Sequence, residues 1–390
     1  MDYADASKAL VLYTLLKTRK RASATVEDLR RKVVAERRRW EWSRAVRMRH
    51  YLTLECIKDP EGSPWMNVWK HGTDKNFLAL TSLTRASFCR LLERFMPHYT
   101  IVLYSPKGGR PARFRHHHQV LGMLLCYYVD SMHASQLCLQ FGGPPATVSR
   151  VITAAEEALS NALIGFDPAR ITWPSLNRQK ALAKLISLRQ PLVSFTWGFL
   201  DGKNYRILQP SNADLQNAHY NGWLHDVFVT GTLCFSADGL IVWAKHNCPG
   251  SWNDGDMSLE YRRRLMDREL NPDRRFGVVA DSAFPCADEM TGRILTPLKE
   301  GDLNRLVPSV REVAKSLSAA ITSIRQAAEC GVGSIEKVYH RLLLPLPYNQ
   351  DLRRRRLDNL FRLANYRVRT VGISEIRTTF MYGPEDRQYE

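Results

Sequence analysis

Two apolar runs in this chain each stop on an aspartate, and that pattern narrows the folds open to it. Phe195-Thr196-Trp197-Gly198-Phe199-Leu200 ends at Asp201, and Phe276-Gly277-Val278-Val279-Ala280 ends at Asp281. Apolar runs of this length read as strands of a buried sheet. A lone charge where such a strand emerges is costly, and binding a cation removes the cost. A third acid, Glu329, lies in the helical stretch Ile324-Arg325-Gln326-Ala327-Ala328-Glu329-Cys330. Strand, strand, helix is an order in which three carboxylates can gather around two hard cations.

Charge indicates what those cations would act on. The 390 residues carry 56 Lys/Arg against 39 Asp/Glu, a formal net charge of +17. Such an excess favours nucleic acid or another polyanion over an acidic small molecule. Residues 1–50 alone hold 14 Lys/Arg against 6 Asp/Glu. There Arg37, Arg38 and Arg39 precede Trp40-Glu41-Trp42, placing cations and aromatics on neighbouring turns of a basic helix expected over 1–60. A DNA-contacting arm, a nuclear-import signal (Lys17-Thr18-Arg19-Lys20-Arg21 is a second candidate) and a plain solvated helix all fit this composition. No apolar run reaches the ~18–20 residues that span a membrane, and no signal-peptide pattern is expected at the N-terminus. The eight cysteines are dispersed without a CxxC pair, so reduced thiols in a cytosolic or nuclear protein are expected, with no zinc site.

The length suits two to three domains, and the texture of the chain divides it into four stretches: a basic helical region and linker (1–115), a helical domain (116–190), a catalytic domain (191–345) and a basic C-terminal segment (346–390). Within the first, 75–96 reads as helical, and Ser105 to Pro111 reads as a linker. The linker's Gly109-Arg110-Pro111 also fits a minor-groove arm, with Arg110 as the contact. In the second, helices are expected over 118–129, 134–141 and 146–162. Gly142-Gly143-Pro144-Pro145 forms the turn before the last, Pro145 suiting a first helical position. Helix, helix, glycine turn, helix is the helix-turn-helix order, which places Thr147, Ser149 and Arg150 near the start of a groove-reading helix; an ordinary helical bundle has the same pattern.

From about residue 190 strands dominate. Expected strands are 193–200, 225–235 and 240–245, with Ser236-Ala237-Asp238-Gly239 as a hairpin turn. A helix near 256–267, the Asp281 strand and a helical region over 308–343 follow. The reading is an α/β fold with a mixed sheet of RNase H-like architecture. Its first and fourth strands lie side by side, so Asp201 and Asp281 are expected to meet across 80 residues of chain. In the last stretch Arg353, Arg354, Arg355 and Arg356 interleave with Leu357, Leu360 and Phe361, a pattern expected to pack its apolar face and leave arginines for phosphates or for solvent. His246 reads as a core or surface histidine rather than a base.

At these residues the chain resembles the PIF/Harbinger group of DDE transposases. The matching pieces are Asp201-Gly202 followed by Ile207, Tyr220-Asn221-Gly222, Pro249-Gly250-Ser251 with Asp254, Ala280-Asp281-Ser282-Ala283-Phe284-Pro285, Leu295-Thr296-Pro297, and Arg325 with Glu329 and Gly331. Together they cover about residues 195–345. The resemblance implies a nuclear enzyme that binds terminal inverted repeats in double-stranded DNA, cuts both strands with two Mg²⁺ (or Mn²⁺) ions and joins the ends to an A/T-rich target. It makes Asp201, Asp281 and Glu329 the catalytic, metal-binding acids and adds Asp254 as a further metal ligand. A homo-oligomer that pairs two ends, and a Myb-like accessory protein, are the partners it implies. Two residues depart from the pattern: Asn253 stands where a His commonly precedes Asp254, and Cys330 where an aromatic commonly follows Glu329. A domesticated DNA-binding protein and a host structure-specific nuclease are the alternatives to a transposase.

Overall fold

The computed structural model describes residues 3–47, 52, 54–102, 111–131, 133–299 and 301–382. The chain divides into two compact units, Met1–Thr53 and Leu54–Glu390. The sequence boundaries near 115, 190 and 345 fall inside the second. The first unit is the helix Tyr3–Arg47, whose apolar residues do not gather into one stripe. Along it Leu12, Leu16 and Val33 are exposed, as are Arg37, Arg38 and Arg39.

In the second unit six strands form one sheet among the described residues: β1 (Thr196–Arg206), β2 (Tyr220–Asn221), β3 (Asp226–Ser236), β4 (Ile241–Pro249), β5 (Gly277–Ala280) and β6 (Ile294–Leu295). β1 lies between β3, antiparallel to it, and β5, parallel to it. β4 and the short β2 both pair with β3, and β6 pairs in parallel with β5. The β3–β4 turn works because Gly239 takes φ +82, a conformation that L side chains rarely adopt.

β1 runs further than its apolar residues suggest. The expected strand stops at Leu200, yet pairing with β3 continues through Asp201↔Leu233 to Arg206↔Phe228. Cross-strand hydrogen bonds hold Gly202, Lys203 and Asn204 extended although their side chains have no strand preference. Pairing with β5, by contrast, ends at Leu200↔Ala280. The sheet therefore forks beside Asp201.

Helices cover both faces. Helix Asp254–Met266 packs over Cys234 and Trp243: the Tyr261 ring lies 5.0 Å from that of Trp243 and its hydroxyl 3.4 Å from Cys234 Sγ. On the opposite face, Phe199 stacks on Phe380 at 5.1 Å and Lys203 pairs with Glu336 of helix Arg311–Val338. The helical layer has its own aromatic core, in which Trp65 touches Phe77, Phe88 and Phe141. Its helices His117–Val129, Ala134–Phe141 and Pro145–Leu163 lie within one residue of the sequence expectation, punctuated by Gly142 at φ +77 and by Pro145. Helix Gln350–Thr370 joins the two layers. Its Asn365 bonds the backbone of both Ile241 and Arg170, and the Tyr366 hydroxyl donates to Ser87 O.

Candidate active site

Asp201 and Asp281 each sit one residue beyond the last paired rung of neighbouring parallel strands, Leu200↔Ala280. The two acids therefore leave the sheet side by side, at the level where β1 and β5 part. Period-2 alternation puts Asp201 on the face of Phe199 and Lys203, beneath helix Arg311–Val338. That helix packs on the sheet through Ile324, Ala328 and Val332, whose spacing leaves Glu329 at the edge of the buried stripe. Gly331 permits the close approach, because a Cβ there would lie 3.0 Å from the Phe235 ring.

Asp254 comes from the other face. It begins helix Asp254–Met266, and its Oδ1 lies 2.9 Å from the position a Cβ on Gly202 would take. The absence of a side chain at Gly202 makes room for this carboxylate. Asn253, the departure from the family pattern, caps the helix by accepting from Asp256 N at 2.9 Å. Cys330, the other departure, is exposed.

Electrostatics show which acids feel one another. Burial pushes the Asp201 carboxyl up to about 6; its acceptance of the Gly202 N–H at 3.0 Å opposes the shift, while Glu329 and Asp281 add to it. Burial also raises Asp254, helped by the charge of Asp281. The couplings run Glu329 to Asp201, Asp201 to Asp281, and Asp281 to Asp254. Asp281 stands between the two faces, its Oδ1 accepting from Ser282 N at 2.7 Å. Among the described residues, no three His, Cys, Asp or Glu side chains form a ready-made metal-holding group. One reason is visible at Glu329, whose carboxylate is drawn 2.8 Å from the Arg325 guanidinium one helical turn earlier.

The donor set still suits a hard divalent ion. It offers carboxylate oxygens at a partly desolvated position where like charges crowd, the setting a cation relieves. Lys203 escaped the sequence reading, and Arg325 entered it only as part of the matching pattern, without a role. Their signals were the i,i+4 spacing of Arg325 to Glu329 and the two-residue step from Asp201 to Lys203. His246 has a structural setting: its ring is mostly buried, with Nε2 2.9 Å from Asp358 Oδ1.

The expected DNA contacts fare unevenly. Ser149 and Arg150 are exposed and Thr147 half-buried at the start of helix Pro145–Leu163. Arg37, Arg38 and Arg39 are exposed on the N-terminal helix, and Arg110 lies outside the described residues. Arg354 is exposed, and Arg355 is half-buried, 3.7 Å from Glu157. Arg353 and Arg356 contradict the expectation. Arg353 is fully buried, donating to Asn247 Oδ1 and, at 3.0 Å, to the carbonyls of Pro347 and Tyr348. Arg356 is a buried partner of Glu156, with contacts of 2.6 and 3.1 Å. Both guanidiniums are committed to internal acceptors and cannot reach a phosphate. Arg362 and Arg369 likewise donate to backbone carbonyls.

No curated protein matches the chain. Among solved structures, the crystal structure of a pre-cleavage Mos1 transpososome matches at 12% identity, covering 71% of this chain and 98% of that chain with a TM-score of 0.18, a likeness too slight to bear on the fold. No helix among the described residues is long and apolar enough to cross a membrane. The stretch that supplies all four acids, residues 200–365, matches the family model of the DDE superfamily endonucleases.

Proposed function

We propose that this chain is a DDE transposase that binds terminal inverted repeats in double-stranded DNA, cuts both strands and joins the ends to an A/T-rich target. The observation that carries the reading is the fork beside Asp201. Two aspartates leave adjacent parallel strands at one level, and Glu329 overlooks the first of them from the covering helix. The match of residues 200–365 to the endonuclease model supports the same chemistry. The strand order β4–β3–β1–β5–β6 supports an RNase H-like sheet.

Asp201, Asp281 and Glu329 would hold two Mg²⁺ or Mn²⁺ ions, with Asp254 assisting beside Asp281. When bound, the ions supply Lewis-acid stabilisation to the attacking and leaving oxygens of a phosphodiester. The chain's own part is to hold the carboxylates close and partly dry, so that a cation is favoured there. Arg325 holds Glu329 until a cation competes for it. Lys203, paired with Glu336 at 2.8 Å, stiffens the same face two residues along β1.

In this reading residues 116–190 form a helix-turn-helix-like DNA-binding layer that presents Thr147, Ser149 and Arg150. The region before it offers Arg37–Arg39, and Arg354 and Arg355 add cations at the far end. The Harbinger resemblance extends the proposal to a nuclear protein acting as a homo-oligomer beside a Myb-like partner. The deciding experiment is Mg²⁺-dependent cleavage of DNA bearing the flanking element's ends, with Asp281→Ala as the control. Cleavage that disappears in the variant is expected. Wild type that binds those ends but never cuts, with or without a Myb-like partner, would refute the enzyme reading in favour of a domesticated DNA-binding protein.

A further inference from the structure

A cleft of about 620 Å³ opens between helices His117–Val129, Ala134–Phe141 and Pro145–Leu163 and the segment that leaves the Glu329 helix. Tyr127, His133, Ser149, Thr153, Arg341 and Arg356 line it. Its charges do not cancel. Glu156 gives both carboxylate oxygens to Arg356 and also accepts from Tyr128, so that pair is closed. The next carboxylate, Glu157, is paired with Arg355. Arg341 has no ion-pair partner among the described residues, and its Nε is buried without an acceptor. Its guanidinium lies 4.3 Å over the Tyr127 ring.

We propose that this cleft is a phosphate site for the DNA backbone, with Arg341 as its cation and the hydroxyls of Ser149 and Thr153 at its mouth. The assignment rests on the DNA-transposing function proposed above. A partly desolvated guanidinium with no carboxylate is costly to keep, and an incoming anion removes the cost. Arginine's planar fork suits the paired oxygens of a phosphodiester, and stacking on Tyr127 fixes its plane beforehand. Burial already holds the Arg341 pKa below its ordinary value, so the group is strained in the absence of a counter-ion. Ser149 and Thr153 are one turn apart on helix Pro145–Leu163, and both are exposed. Arg341 follows three residues after the end of helix Arg311–Val338. A phosphate bound here therefore touches the DNA-reading layer and the segment that continues from Glu329, tying engagement of a DNA end to the position of the catalytic helix.

The test is duplex binding by the full chain, followed by fluorescence anisotropy across a KCl series in the presence of a chelator, so that cutting plays no part. Arg341→Gln is expected to weaken binding roughly tenfold near 0.1 M salt and to make the dependence of log K on log [KCl] shallower by about one. Thr153→Glu changes an exposed residue, so it guards against a folding defect in the first variant, and it should weaken binding at least as much. Wild-type affinity and slope in both variants would overturn the site while leaving the cleavage reading intact. Wild type that fails to bind any duplex would sink both. If inorganic phosphate raises the melting temperature of wild type but not of Arg341→Gln, while DNA binding is equal in the two, the cleft takes free phosphate and the DNA assignment falls.

Discussion

Asp201 is expected to cost the protein stability at the pH where it would work. Its carboxyl is raised from 3.8 to about 6, first by burial and then by Glu329 and Asp281. A carboxyl raised on folding holds its proton more tightly in the native state. The stability this contributes is present in full below about pH 4 and is lost as pH rises through about 6. The full shift corresponds to roughly 3 kcal/mol, and the remaining solvent contact of this half-buried group brings the expected effect nearer to about 2 kcal/mol. Asp201→Asn keeps the shape and can still accept the Gly202 N–H, so it removes the charge and little else. Urea unfolding at pH 4 to 8 in a chelator should show the variant equal to wild type at the acid end and about 2 kcal/mol more stable at pH 8. Millimolar Mg²⁺ or Mn²⁺ should close that gap, because wild type gains a cation that the amide binds poorly. A variant less stable than wild type at pH 8, or a difference that ignores pH, would refute the account of a crowded, desolvated carboxylate.

Three further substitutions probe the frame around the site. Gly202→Ala drives a methyl to within 2.9 Å of Asp254 Oδ1, so cleavage should fall at least tenfold in a nuclease assay while the thermal midpoint moves only a few degrees. Gly331→Ala meets Ile376 at 2.9 Å and Phe235 at 3.0 Å, and urea unfolding should report a loss of about 1–3 kcal/mol from overpacking. Arg356→Met strands the Glu156 carboxylate in the core and should cost about 3–5 kcal/mol by the same measurement; full stability with reduced DNA affinity would instead restore Arg356 as a surface contact.

Local rules made much of this molecule legible in its sequence. Pro145 and the Gly142-Gly143 turn punctuate the helical layer, and Gly239 closes the β3–β4 hairpin, so those boundaries follow from residues that act on their own backbone. Two apolar runs that each end on a charge made Asp201 and Asp281 legible as strand-end acids, whereas their adjacency was expected only from the strand order of an RNase H-like sheet. What escaped depends on partners far away in the chain. Gly202 to Arg206 look like a loop and are a strand, because β3 supplies their hydrogen bonds from residues 228–232. Arg353 and Arg356 look like solvated charge and lie in the core, because Asn247 and Glu156 wait for them there. Their spacing gave a hint, since 353 and 356 share one helical face with Leu357 and Leu360. A buried arginine is tolerated only where an acceptor meets it, and no sequence pattern says where that acceptor is. The same rule makes Arg341 informative. Arg353 and Arg356 are matched by internal acceptors, whereas Arg341 has no ion-pair partner among the described residues and rests on the Tyr127 ring, which is why the proposed phosphate site is centred on it.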